Sequence, residues 1–198
     1  MIRIASTVLF LALVPLAAAQ DSKKPNLYPL QLGNKWEFLI SGDGGSAKVE
    51  VVAEVTAVES KNGRIIATIT ATTAGQKSGT EQVSSDEHGV YRNGFPGLMS
   101  NREFPIIKYP VKIGDTWKES LSVNGMEAEL TFAVGEAEEV TVTAGKFKAI
   151  PFQGSAKIKG QETSSTRWFA DGVGIVQDKL TFGGRTFTRE LKKFTPGK

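Results

Sequence analysis

Apolar and polar residues alternate with a period of two along most of this chain. Val49, Val51, Ala53, Val55 and Ala57 are apolar, and Lys48, Glu50, Glu54 and Thr56 lie between them. Successive strand side chains point to opposite faces, so this row predicts a long half-buried strand. Trp36, Phe38 and Ile40 alternate with Glu37, Leu39 and Ser41, and Ile65, Ala67, Ile69 and Ala71 alternate with Ile66, Thr68, Thr70 and Thr72. Ala128, Leu130, Phe132 and Val134 alternate with Glu127, Glu129, Thr131 and Ala133. Ile150, Phe152, Gly154, Ala156 and Ile158 form another row, and Phe187, Arg189 and Leu191 form one opposite Thr186, Thr188 and Glu190. The rows are rich in Val, Ile, Thr and Phe, as strands prefer.

Turn residues separate the rows: Asp43-Gly44-Gly45, Asn62-Gly63, His88-Gly89, Asn124-Gly125, Ala144-Gly145, Asp171-Gly172 and Gly183-Gly184. Asn-Gly is a hairpin signal because both central residues of a type I′ turn need positive φ. The spacing predicts about 10–12 strands. The expected architecture is all-β: a single curved antiparallel sheet, forming a half-barrel or open barrel.

One phrase occurs twice. Tyr28-Pro29-Leu30-Gln31-Leu32-Gly33-Asn34-Lys35-Trp36 is matched by Tyr109-Pro110-Val111-Lys112-Ile113-Gly114-Asp115-Thr116-Trp117, with Tyr, Pro, Gly and Trp in register. Such a match predicts two similar halves, residues 28–92 and 109–194. Both Trp residues sit among apolar neighbours and read as core. Residues 93–108, Asn93-Gly94-Phe95-Pro96-Gly97-Leu98-Met99-Ser100-Asn101-Arg102-Glu103-Phe104-Pro105-Ile106-Ile107-Lys108, show no period and read as the linker. So many apolar residues must pack on something, either as a plug for the core or as a lid over a ligand. Phe95, Leu98, Met99 and Phe104 are accordingly the candidate ligand-binding residues.

The N-terminus reads differently. Met1-Ile2-Arg3 is followed by an apolar run from Ile4 to Leu16 and by Ala17-Ala18-Ala19. That is the pattern of a secretory signal peptide, residues 1–19, leaving one β domain over 20–198. The run is shorter than the roughly 20 residues a membrane-spanning helix needs, so no transmembrane segment is expected in the mature chain. No Cys follows the Ala triplet, so a lipoprotein is not expected. The expected location is extracytoplasmic, in the periplasm or secreted.

Composition narrows the chemistry. The chain has 198 residues and no cysteine, which excludes thiol catalysis and Cys-ligated metals. Its net charge of +3 is dispersed among acids, which argues against a nucleic-acid partner. His88, the one histidine, falls in a turn, and no nucleophile elbow or phosphate loop occurs. Asp43 lacks companion carboxylates for a calcium loop, and Glu136, Glu138 and Glu139 read as a solvated strand end. No catalytic residue, metal ligand or cofactor is expected.

The segment Val142-Thr143-Ala144-Gly145-Lys146-Phe147-Lys148-Ala149-Ile150, the segment Arg167-Trp168-Phe169-Ala170-Asp171-Gly172-Val173-Gly174-Ile175-Val176 and the Tyr-Pro-x-x-x-Gly-x-x-Trp phrases resemble exported bacterial proteins of the domain of unknown function 3108 family. Thr143 and Asp171 stand where those proteins carry Pro. The resemblance implies a curved antiparallel sheet distantly similar to the periplasmic lipoprotein carriers, whose concave face holds acyl chains. The expected partner is therefore a lipid or other hydrophobic small molecule bound by a non-enzymatic protein. The alternative is a structural or protein-interaction module of the bacterial cell envelope, with an envelope protein as partner.

Overall fold

A computed structural model describes residues 24–43, 48–95, 98–158 and 161–198. The expected signal peptide lies outside the described residues. Thirteen strands follow one another: β1 (Lys35–Ser41), β2 (Lys48–Lys61), β3 (Arg64–Thr73), β4 (Gln76–Ser85), β5 (Gly89–Phe95), β6 (Leu98–Lys108), β7 (Thr116–Val123), β8 (Met126–Val134), β9 (Glu138–Val142), β10 (Gly145–Ile158), β11 (Gln161–Ala170), β12 (Gly174–Phe182) and β13 (Arg185–Thr195). Each of β1 to β7 pairs antiparallel with the next, β8 pairs with β10, and β10 to β13 continue the meander. The chain then closes on itself, because β13 pairs with β1 from Lys35↔Thr195 to Ser41↔Thr188. Strand β9 lies beside the start of β10, on the edge that pairs with β8 further along.

The result is a closed antiparallel barrel of twelve strands with β9 as an extra rung. This corrects the expected half-barrel or open curved sheet. Alternation reports which residues face inward. It does not report that the first and last strands meet, since that contact is made by backbone groups common to every sequence. Closure leaves no free edge around the ring.

Alternate turns gather at opposite ends. Asn62-Gly63, Asn124-Gly125 and Gly183-Gly184 all have both residues at positive φ, as a type I′ turn requires. Ala74-Gly75 adopts the same geometry without a sequence cue, because Ala rarely enters that region. One end, called the base here, is closed by the N-terminal segment. Leu27, Tyr28 and Leu30 are buried there, and Tyr28 packs against Phe169 with ring centroids 6.0 Å apart. Asp171 Oδ1 accepts from the Asn26 amide at 2.7 Å. Asn34, fully buried, donates from Nδ2 to Pro29 O at 2.9 Å and accepts from the Gly197 amide through Oδ1 at 2.7 Å. The base is thus tied to both ends of the described chain.

The two matching phrases make matching turns. Gly33 and Gly114 have φ of 81° and 85°. Their amides donate to Val55 O and Val134 O, both at 2.9 Å, and Val55 and Val134 donate back to Asn34 O and Asp115 O, again at 2.9 Å. Trp36 and Trp117 are both buried. Their indole N–H groups donate to Val173 O at 2.6 Å and Pro105 O at 3.2 Å. The side chains differ: Asn34 is buried where Asp115 is exposed.

Residues 93–108, read as an irregular linker, are mostly wall. They hold the end of β5 and all of β6, and the two strands form a hairpin with bulges at Val90/Tyr91 and Arg92/Gly94. The period is hidden because Ile106 and Ile107 are both buried although they are neighbours. Pro105 is tolerated because β6 makes a single ladder pair with β7, Ser100↔Val123. The rest of that seam is closed by other groups. Asn101 Oδ1 accepts from Ser122 N, Asn124 Oδ1 accepts from Met99 N, and Arg102 donates to Ser120 O, each at 3.0 Å.

Candidate functional site

Ladder register places the inward rows. On β13 these are Phe187, Arg189 and Leu191, and on β12 they include Asp178, Leu180 and Phe182, since Asp178 faces Arg189 and Leu180 faces Phe187. On β11, Arg167 faces Asp178 and shares the row of Phe169. Across the barrel, Glu81 lies opposite Ile69 on the row of Val83, and Arg92 lies between Val83 and Phe104. Leu191, Phe169, Val83 and Phe104 are all nearly inaccessible, so these rows line the interior. The interior therefore carries charge at mid-height.

Two clusters make up this charged belt. Asp178 Oδ2 accepts from Arg189 Nη2 at 2.8 Å and lies 3.3 Å from Arg167 Nε. Arg92 Nη2 pairs with Glu81 Oε2. The Arg189 guanidinium also lies over the Phe38 ring, 4.7 Å from its centroid, a cation–π contact. Three guanidiniums thus meet two carboxylates. The Nε groups of Arg92 and Arg189, and Asp178 Oδ1, are buried and make no hydrogen bond among the described residues.

Burial lowers the Arg92 pKa to about 10, and repulsion from Arg167 and Arg189 adds to this. Arg92 therefore stays cationic at neutral pH. Burial works to raise the Asp178 pKa, but the neighbouring guanidiniums of Arg167, Arg189 and Arg92 outweigh it and hold the carboxyl below its ordinary value. Below the belt a gap of about 30 Å³ is bordered by Tyr28, Phe38, Glu81 and Arg189 among others. That volume is enough for one or two small atoms.

Among the described residues, the barrel is open above the belt. Val49, Leu180, Phe182 and Phe187 remain 40–50% exposed, although register puts Val49 on the inward row of Val51 and Ala53. Inward-facing apolar residues that meet water define a mouth, and scattered surface exposure does not account for them.

The candidate residues of the 93–108 segment are dispersed. Phe95 and Leu98 pair through their backbones at the tip of the β5–β6 hairpin, and their side chains lie outside the described residues. Met99 is exposed. Phe104 is fully buried, faces Arg92 across the ladder and stacks on Phe132 at 6.4 Å. His88 is exposed beside Glu87. Glu138 accepts from the Trp168 indole N–H, and Glu139 pairs with Lys146. Trp168 and Phe169 are both buried although they are neighbours on one strand. Among the described residues no group of three His, Asp or Glu side chains is placed to hold a metal. The belt was not anticipated from sequence. Its one visible signal was Arg189, standing in an otherwise apolar inward row.

The geometry defines a class: a closed up-and-down β-barrel with a packed base, a charged mid-height belt and an open apolar mouth. No protein-family model matches the chain, and no curated protein matches it. Solved structures do share the fold. A "putative lipoprotein" from Parabacteroides distasonis ATCC 8503 aligns with a TM-score of 0.61 and 12% identity, covering 88% of this chain and 100% of that one. A "putative exported protein with YmcC-like fold" from Bacteroides fragilis NCTC 9343 aligns with a TM-score of 0.58 and 15% identity, covering 85% and 98%. At these identities the likeness is one of fold.

Proposed function

We propose that this protein is an exported, non-enzymatic binder that takes an apolar or amphipathic molecule into the mouth of its barrel. The observation that carries this reading is the half-exposed inward row of Val49, Leu180, Phe182 and Phe187. Burying such rings against a ligand is favourable at roughly 25 cal/mol per Å² of apolar area. Export is supported by the N-terminal pattern of Arg3, the Ile4–Leu16 run and the Ala triplet. The test uses the neutral fluorophore N-phenyl-1-naphthylamine. Saturable enhancement with the wild type, lost in Leu180→Glu and Phe187→Glu variants that melt normally, supports the reading. Absence of saturable binding to the wild type refutes it.

A further inference from the structure

We propose that Arg92, Arg167 and Arg189 recognise an anionic head, and that the molecule held in the mouth is a carboxylate-bearing amphiphile seated head inward. This rests on the reading of the mouth as a binding site and specifies its ligand.

The belt holds one more cation than anion, with Arg167 and Arg189 sharing a single carboxylate. A surplus guanidinium inside a barrel lacks the screening that water gives it at a surface. The donors are also incompletely used. Arg92 is 7% exposed, and its Nε and that of Arg189 make no hydrogen bond among the described residues. Asp178 Oδ1 is likewise unused, so an anionic head must approach from the guanidinium side, away from the carboxylates of Asp178 and Glu81. Guanidinium groups match carboxylates through paired N–H donors.

The tail has a path. Arg189 is followed outward on its strand by Phe187, and Asp178 by Leu180 and Phe182. A strand advances about 3.4 Å per residue, so the span from Arg189 to Arg185 is about 14 Å. A medium-length acyl chain with its carboxylate at the belt would lie along these rings. The opposite orientation would place a charged head among Leu180, Phe182 and Phe187 and leave the belt unused.

Displacement of N-phenyl-1-naphthylamine decides the matter. Decanoate, decanol and acetate are compared on the wild type, on Arg189→Gln and on the pair-removing variant Glu81→Gln/Arg92→Met. The expected result is displacement by decanoate on the order of tenfold tighter than by decanol, with acetate inactive and the preference lost in Arg189→Gln while decanol is unchanged. Equal affinities of decanoate and decanol for the wild type, which need no variant to interpret, would overturn head recognition and leave the mouth reading standing. A preference undiminished in both variants would overturn it equally. Displacement by acetate alone would reassign the belt to a free anion. Failure of the fluorophore itself to bind would instead remove the mouth reading, and this inference with it.

Discussion

Replacing Asp178 by Asn would leave two guanidiniums in the barrel interior without a counter-charge. Asp178 Oδ2 lies 2.8 Å from Arg189 Nη2 and 3.3 Å from Arg167 Nε, and the three side chains are 12%, 29% and 19% exposed. They are enclosed enough that water screens them poorly. At an effective dielectric of about 20, one ion pair at about 4 Å is worth about 4 kcal/mol. Removing one partner of a buried pair costs about 3–5 kcal/mol by measurement on other proteins. The two figures agree, and the loss is a large share of a stability of about 5–15 kcal/mol. For a chain of this size it corresponds to a fall in Tm of about 6–20 °C. Urea denaturation of the Asp178→Asn variant measures it. The triple variant Arg167→Met/Asp178→Leu/Arg189→Met should fall within about 1 kcal/mol of the wild type or exceed it, because apolar replacement of a whole buried cluster is often neutral or stabilising. Decanoate should recover part of the Asp178→Asn loss, as any ligand of the folded state does. A loss below about 1 kcal/mol in Asp178→Asn would show that water reaches the belt freely, and the enclosed-charge reasoning would fail.

Acid should erase the same contribution. The Asp178 pKa is lowered on folding, so its stabilisation is present above the unfolded carboxyl value of about 3.9 and is lost as pH falls through the lower folded value. The gap in Tm between wild type and Asp178→Asn should therefore close below about pH 4, and a gap constant down to about pH 2 would contradict the sign. The two matching phrases should respond unequally to alanine. Asn34→Ala removes bonds to Pro29 O and Gly197 N in a fully buried site and should cost about 2 kcal/mol in urea unfolding, whereas the exposed Asp115→Ala should cost under about 0.5 kcal/mol.

Strands were legible where one face is wet. The Val49–Ala57 row and the Ala128–Val134 row alternate because solvent on one side and core on the other impose opposite requirements on neighbours. Strand β6 was illegible for the converse reason. Phe104, Ile106 and Ile107 are all buried, and the sequence places Pro96 just before β6 and Pro105 within it, so neither period nor turn spacing separates them from a loop. Closure depends on Trp36 meeting Phe194 across the ladder, a contact between residues far apart in the chain that no local pattern encodes. The belt has the same character. Glu81, Arg92, Arg167, Asp178 and Arg189 come from five strands, and all but Arg189 look like ordinary solvated charges when read alone. Only the ring brings them together.

A hoop yields at its poorest joint. Around most of this ring, tension is shared by many backbone rungs, but between β6 and β7 one ladder pair and the bond from Asn124 N to Met99 O remain, and side chains carry the rest. Two of those staples, from Arg102 and Lys108 to Glu119, are ionic, and their cations are about half open to solvent, so dissolved salt loosens them. Amide exchange along residues 98–108 and 116–123 should register that loosening first. The wall can thus part lengthwise at this line before any full ladder unzips.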